Sequence, residues 1–255
     1  MNYYVNEDSI VRQIWGKADT ILLIFAGAAA EFALNKAVDW LYFTGRLPSD
    51  PLGRLFSTVS YAREIIFSTT PRANMAIDKM RGIHTSVEKA RGTHIPDAAY
   101  RDVLFMLIHY SISAYEVLER RMTDEEKEDV VEVFCRVGRR MQIKGLPANY
   151  DEWVMLYHHH ISNNLVHSSF TDDLFKQYRK HLGWMRYIIL IESQKLVVSE
   201  RVKNLLNFKS PGLIRPLIKF YRMSRKIKAD HILKFLLLPP LYKHRIRMLD
   251  IQPGQ

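Results

Sequence analysis

The sequence contains a single cysteine, Cys135, and this scarcity excludes several classes of protein. One thiol cannot form an internal disulfide framework or a cysteine-based metal cluster, and it cannot supply the Cys-x-x-Cys-His motif that attaches haem covalently. Cys135 lies within a helical pattern, where a lone cysteine is usually a small core residue. The expected compartment is the reducing cytoplasm.

Common enzyme motifs are also missing. The sequence has no phosphate-binding Walker loop, no dinucleotide-binding glycine fingerprint and no Gly-x-Ser-x-Gly elbow. It also lacks the His-Glu-x-x-His of zinc proteases and the paired Glu-x-x-His of di-iron bundles. No basic, apolar leader opens the chain. The most apolar early stretch, residues 20–38, contains Glu31, so we interpret it as a buried helix rather than a membrane span.

Helix signals recur along the chain, whereas strand-type alternation and hairpin dipeptides are absent. Ser49-Asp50-Pro51 predicts the start of one helix, and Thr70-Pro71 predicts another that ends at Gly92. Thr123-Asp124-Glu125-Glu126 matches a capping box. These signals predict an all-α fold, a single globular domain of about eight or more helices over residues 1–206. Residues 207–255 would form a basic helical extension.

The positive charge is concentrated near the C-terminus. Of the formal net charge of +10, residues 201–248 contribute +12, from 13 Lys and Arg against one acid, and the rest of the chain is near −2. Apolar clusters at 213–218 and 231–238 alternate with these cations, as in amphipathic segments that lie on anionic membranes. A helical cap with a solvated cationic face is the alternative. A nucleic-acid interpretation is weaker, because no recognised motif accompanies the charge.

Two histidines are placed on predicted interior faces. Residues 103–109 are apolar on every side, which predicts the innermost helix and a buried His109. Helix 72–91 carries one apolar stripe, and His84 lies beside it and points inward. The stripe consists of Ala73, Ala76, Ile77, Met80, Ile83, Val87 and Ala90. A neutral imidazole can ligate haem iron, although a lone inward histidine is more often a hydrogen-bonded core residue.

Three consecutive histidines, His158-His159-His160, form a second feature. Consecutive helical residues point about 100° apart, so the three side chains cannot face one metal ion. His160 and His167 share a side and could line a pocket. Solvated or capping roles are the favoured interpretation.

The segment Asp50-Pro51-Leu52-Gly53-Arg54-Leu55-Phe56-Ser57-Thr58, followed by Ile83-His84, resembles the MpaB and latex-clearing (rubber) oxygenase family. Ile95-Pro96-Asp97-Ala98-Ala99-Tyr100, His109 downstream and Gly145-Leu146-Pro147 continue the resemblance, which covers residues 15–206. Members of that family are all-helical b-type haem proteins, and the best-known ones cleave isoprenoid double bonds with dioxygen.

The resemblance implies a helical pocket for haem b, with His84 as the ligand of the iron. It also implies that Arg54 and Thr58, which are four residues apart and so share a helix face, address the same site. His109 would be a further cofactor-binding residue. Ser57 stands where the rubber-cleaving enzymes have a lysine. Asp39 and Glu31 are the carboxylates available to act as a catalytic base.

The expected function is that of a haem-dependent oxygenase, an oxidoreductase that uses dioxygen on an apolar, isoprenoid or lipid-like substrate. We expect no nucleic-acid partner. The basic C-terminal segment would contact the inner surface of a membrane. Two alternatives remain open: a non-catalytic carrier of haem or another apolar ligand, and a cofactor-free helical protein of the membrane surface.

Overall fold

The computed structural model describes residues 2–43, 45, 49–208 and 221, and this part of the chain is all-α. The helices are α1 (Ile10–Trp15), α2 (Ala18–Leu34), α3 (Asp39–Phe43), α4 (Pro51–Phe67), α5 (Thr70–Arg91), α6 (Asp97–Leu118), α7 (Asp124–Arg140), α8 (Tyr150–Asn163), α9 (Ser169–Val197) and α10 (Glu200–Leu205). Within those residues, extended pairing is limited to two isolated bridges, Tyr3 with Thr69 and Asn35 with Leu165. The predicted fold class is confirmed.

Local sequence signals place the helix ends. The Asp50 side chain accepts a hydrogen bond from the main-chain N–H of Gly53 at 2.8 Å, and Pro51 occupies the first turn of α4. Helix α5 ends at Gly92, whose φ of 73° is in the left-handed region that glycine adopts without strain. The predicted capping box between Thr123 and Glu126 is present at the start of α7.

Helix α2 is the central helix. It packs against α6 on one side and α9 on another, with shorter contacts to α1 and α10. Most of its residues are buried, including Ile21, Ile24 and Ala30. None of the described helices combines the length and the apolar character that a membrane crossing requires. The interpretation of residues 20–38 as a buried helix is confirmed for the segment that forms α2.

The expectation that residues 103–109 form the innermost segment is only partly met. Leu104, Phe105, Met106 and Ile108 are buried, but Val103 is exposed and His109 is half-buried. Helix α6 packs against α2 and α7 and leaves one side partly open. Uniform apolar character therefore does not distinguish a fully enclosed helix from one that is enclosed on most sides.

The apolar stripe of α5 is buried only over its first half. Ala73, Ala76 and Ile77 are buried, whereas Ile83 and Ala90 are exposed. The prediction of an inward stripe along the whole helix is therefore wrong for its C-terminal half. There α5 extends beyond the main core, and His84 lies half-buried at this transition.

Most of the buried apolar side chains form one core cluster that reaches from Tyr4 to Val202. A smaller cluster joins the end of α2 to α9 through Ala33, Val38, Leu174 and Tyr178. Cys135 is buried in α7, as its sequence context predicts, and burial raises the pKa of its thiol to about 11. The predicted extension over 207–255 lies outside the described residues apart from residues 207, 208 and 221.

Candidate active site

Three helices bring His84, Arg54 and Tyr100 together. His84 extends from α5, and its ring centroid lies 5.2 Å from that of Tyr100 at the start of α6. Arg54, in the first turns of α4, is close enough for its charge to act on the imidazole. Helices α4 and α5 are adjacent in the fold, which explains how residues thirty positions apart meet. The structure therefore places two of the predicted cofactor residues at one site.

The surroundings of His84 favour the neutral form of its imidazole. Burial lowers its pKa first, the positive charge of Arg54 lowers it further, and the carboxylate of Glu88 opposes the shift only in part. Glu88 itself accepts hydrogen bonds from the Ile95 main-chain N–H at 2.9 Å and the Tyr100 hydroxyl at 3.3 Å. The neutral imidazole is the form that binds iron.

One ring nitrogen of His84 lacks, among the described residues, the hydrogen-bond partner that a structural core histidine normally has. Its Nδ1 atom is buried and has no hydrogen-bond partner among the described residues. Buried polar atoms are normally paired, so such an atom calls for an explanation. A haem iron needs only one or two protein ligands, so a single available imidazole fits this cofactor.

The other residues predicted for the site have partners of their own. The Thr58 hydroxyl donates to the Arg54 carbonyl oxygen at 3.3 Å, one turn back along α4, which leaves its lone pairs available. The Asp39 carboxylate pairs with Arg91 at 2.6 Å, and the guanidinium of Arg91 lies 3.9 Å from the Trp40 ring centroid. Arg91 follows His84 on α5 by two turns, about 10 Å along the helix. Asp39 therefore lies at the edge of the same region.

Glu31 lies elsewhere, at the centre of a buried polar cluster between α2, α6 and α8. Its Oε2 atom accepts hydrogen bonds from the hydroxyls of Tyr110, at 2.8 Å, and Tyr157, at 2.7 Å. Its Oε1 atom lies 3.1 Å from Nε2 of His160. The Glu31 side chain is fully buried. This carboxylate is therefore satisfied on both oxygens.

The cluster continues from His160 to Asp102. His160 Nδ1 lies 2.7 Å from Asp102 Oδ1, an ion-pair contact. The side-chain amides of Asn35 and Asn164 donate to the Asp102 carboxylate at 2.9–3.2 Å. Burial alone would lower the pKa of His160, but the contacts with Asp102 and Glu31 outweigh it and raise the pKa to about 9. His160 is therefore cationic at neutral pH, between two carboxylates.

His109 belongs to this second cluster and not to the His84 region. Its ring stacks on Tyr157 at 4.5 Å between centroids, lies 3.4 Å from the Ser113 hydroxyl and bonds to the Val197 main chain. It follows Tyr100 by nine residues, about 13 Å along α6. The structure therefore does not bring His109 next to the His84 ring.

The interpretation of the histidine triplet as solvated or capping is wrong for His160. Within the histidine triplet, His158 and His159 are exposed, while His160 is buried. The signal is the spacing of Trp153, Tyr157 and His160, which are four and three residues apart and so share one helix face. His167 is exposed and bonds to Asp172, so it does not line a pocket with His160.

No set of three His, Cys, Asp or Glu side chains in the described ranges is arranged to hold a metal ion. A metal bound through protein ligands alone therefore has no candidate site there. A haem iron is held chiefly by its macrocycle, so it does not need three protein side chains as ligands.

A family model matches residues 13–226 of the chain: "ER-bound oxygenase mpaB/B'/Rubber oxygenase, catalytic domain". The match spans most of the sequence and includes Arg54, His84 and the buried cluster around Glu31. The chain belongs to this family. No curated protein and no solved structure gives a match. This match confirms the resemblance drawn from the sequence motifs. At the family level the chain is an oxygenase catalytic domain, and therefore an oxidoreductase.

Proposed function

We propose that this member of the mpaB and rubber oxygenase family is a haem b-dependent oxygenase in which His84 would hold the iron. The observation that carries the proposal is the combination of protonation, hydrogen bonding and neighbouring charge at His84. Its imidazole is kept neutral, its buried Nδ1 has no described partner, and the cation of Arg54 is beside it. These are the features of a side chain prepared for a ligand rather than for a core contact.

The residues around His84 have separable roles. Bound there, the haem would supply the activation of dioxygen. Arg54 can donate to a carboxylate of the cofactor or orient the oxygen that approaches the site. Thr58, on the same face of α4, can accept a hydrogen bond from a bound group through its hydroxyl oxygen. Tyr100 packs against the His84 ring and fixes its orientation.

The proposed substrate is apolar, isoprenoid or lipid-like. Ile83 next to His84 is exposed, and Met80, one turn earlier on α5, packs against the core. These apolar side chains support such a substrate. Of the two candidate carboxylates, Asp39 is partly exposed and lies near the His84 region, whereas Glu31 is enclosed. Asp39 is therefore the better candidate to accept a proton from a substrate.

The first experiment measures haem binding by the purified full-length protein. A Soret band should appear in the isolated protein or after reconstitution with haem. His84→Ala should lose the band, because no other described residue supplies the imidazole at this position. His159→Ala, an exposed histidine of α8, is the matched control and should bind haem normally. Absence of a Soret band after reconstitution would overturn the proposal.

A second experiment separates an oxygenase from a haem carrier. The loaded protein should consume dioxygen in the presence of polyprenyl or unsaturated lipid substrates, and oxygenated products should be detected by mass spectrometry. Asp39→Asn should lower the rate by about 10²–10⁴-fold while haem content stays unchanged, as expected for the loss of a general base. A haem-loaded protein that never consumes dioxygen with any of these substrates would favour the carrier.

A further inference from the structure

Three large apolar side chains are exposed together on α9. Trp184, Met185 and Ile188 are 65 %, 59 % and 48 % accessible to solvent, and we call these three residues the α9 patch. Soluble surfaces do carry single exposed apolar residues, but a tryptophan beside two aliphatic side chains is unusual on a solvated helix. The patch therefore indicates a surface that is covered by something else.

The backbone presents the patch outward. Gly183 interrupts α9 with φ 73° and ψ 165°, a conformation that favours glycine, and Trp184 begins the second half of the helix. The three side chains fall within an arc of about 100° on that half. Tyr187 and Leu190 point to another side and pack against the smaller core cluster. The patch is therefore not the packed face of α9, which is already occupied.

Along α9, between Asp173 and Glu192, the charged residues near the patch have one sign. Residues 174–191 contain four Lys and Arg and no Asp or Glu. Three of the cations, Lys176, Arg179 and Lys180, are exposed on the half of α9 that precedes Gly183. An exposed aromatic and aliphatic group whose nearest charged residues along the helix are cations matches the interface of an anionic lipid bilayer. There tryptophan lies at the headgroup level and each nearby Lys or Arg is attracted by the negative surface.

We propose that the α9 patch docks the protein on anionic membrane surfaces, with Trp184, Met185 and Ile188 inserted at the headgroup boundary and Lys176, Arg179 and Lys180 on the phosphates. The proposed contact is peripheral, because it uses one exposed face of α9. The α9 patch and His84 belong to different helices, and membrane docking through the patch does not depend on haem. It is also distinct from the basic segment at 201–248.

Tryptophan emission of the full-length protein tests the insertion. Mixing with vesicles of phosphatidylglycerol and phosphatidylcholine should shift the emission to shorter wavelength, and brominated lipids should quench it. Trp15 and Trp153 are buried, and the half-buried Trp40 is covered on one ring face by Arg91, so Trp184 should contribute most of the change. Trp184→Phe, which keeps an apolar ring, should still sediment with the vesicles but lose most of the signal. An emission spectrum that vesicles leave unchanged would overturn the proposal.

Two matched double variants test how much the patch contributes to vesicle binding. Met185→Ser combined with Ile188→Ser should weaken sedimentation with anionic vesicles by about tenfold or more, as expected for two side chains withdrawn from a membrane interface. Met75→Ser combined with Met155→Ser alters two exposed methionines on other helices and should have no effect. Pure phosphatidylcholine vesicles or high salt should weaken binding of the wild type. Equal losses in both double variants, or a patch-dependent dimer without lipid binding, would contradict membrane docking.

Discussion

At the scale of single residues, Glu31 illustrates how surroundings decide what a carboxylate can do. Two tyrosine hydroxyls and the cationic His160 occupy both of its oxygens, and no solvent reaches it. A base must have an oxygen within reach of the substrate. Glu31 is better suited to hold α2, α6 and α8 in register, because removing one partner of a buried charged network leaves the others uncompensated.

His160 makes the stability of the fold depend on pH. Contacts with Asp102 and Glu31 raise its pKa to about 9 in the folded protein, above the usual histidine value of 6.5. The contribution of the His160 cation to the stability of the fold is therefore complete below about pH 6.5 and is lost as the pH rises through 9. The free energy of unfolding should fall by on the order of 3 kcal/mol across this window.

Urea unfolding of the wild type and of His160→Gln at a series of pH values measures this dependence. The wild type should lose stability between the two pKa values, and His160→Gln should not. His159→Gln changes the exposed neighbour and should follow the wild type. The same slope in all three proteins would show that another group is responsible.

At the scale of helices, the crossing of α2 and α6 depends on one glycine. A Cβ atom at Gly27 would overlap the ring of Tyr110, so the two helices approach at the distance that glycine allows. Gly27 is one turn before Glu31, and this close approach is what lets the Tyr110 hydroxyl reach that carboxylate. The apolar contact and the polar cluster are therefore parts of the same crossing.

Gly27→Ala should destabilise the protein by about 1–3 kcal/mol, because the added methyl overpacks the crossing. Gly82→Ala is the matched control, since Gly82 is in an exposed stretch of α5 with open space around it. There alanine should stabilise by roughly 0.5–1 kcal/mol, as expected from helix propensity. Chemical denaturation followed by circular dichroism measures both, and a shift of the same sign in the two variants would contradict this account.

Local chemistry explains which elements could be predicted from the sequence. Asp50 with Pro51, Gly92, and Thr123 with Glu126 act within a few residues of themselves, so their signals read directly as helix ends. The extent to which α5 is buried depends instead on where the other helices end. The apolar repeat of α5 itself does not indicate where those helices end. The same limit applies to His160, whose partners Glu31 and Asp102 come from distant parts of the chain.

The residues of the candidate site were also predictable only in part from the sequence. Arg54 and His84 could be paired from motifs, and the fold places them together. The spacing of Asp39, Glu31 and His109 could not reveal that Asp39 pairs with Arg91 while the other two join a separate buried cluster. Contacts between helices far apart in sequence are set by packing, and a single sequence leaves them open.

At the scale of the whole molecule, one core extends through most of the described helices, and the C-terminal half of α5 lies outside it. Amides of α2 should exchange only through large-scale unfolding, whereas those of residues 81–91 should exchange through local opening. Hydrogen exchange followed by mass spectrometry should show faster exchange in 81–91 by more than about tenfold.

Haem should slow the exchange of residues 81–91 if it binds at His84, because ligand binding stabilises the closed form of its own site. His84→Ala should show the rapid exchange with or without haem. Uniform protection of α2 and residues 81–91 in the protein without cofactor would contradict the first expectation. Protection that persists in His84→Ala would place the cofactor elsewhere.

The burial of Cys135 has a practical consequence. A thiol with a pKa of about 11 inside a packed helix reacts poorly with maleimides and other alkylating reagents. The protein therefore behaves as if it had no cysteine towards labelling reagents, and the native residue need not be removed. A cysteine introduced at Met155 or Met185 would be the single reactive thiol. A spin label or dye attached there would report its local surroundings and its immersion depth without altering the core.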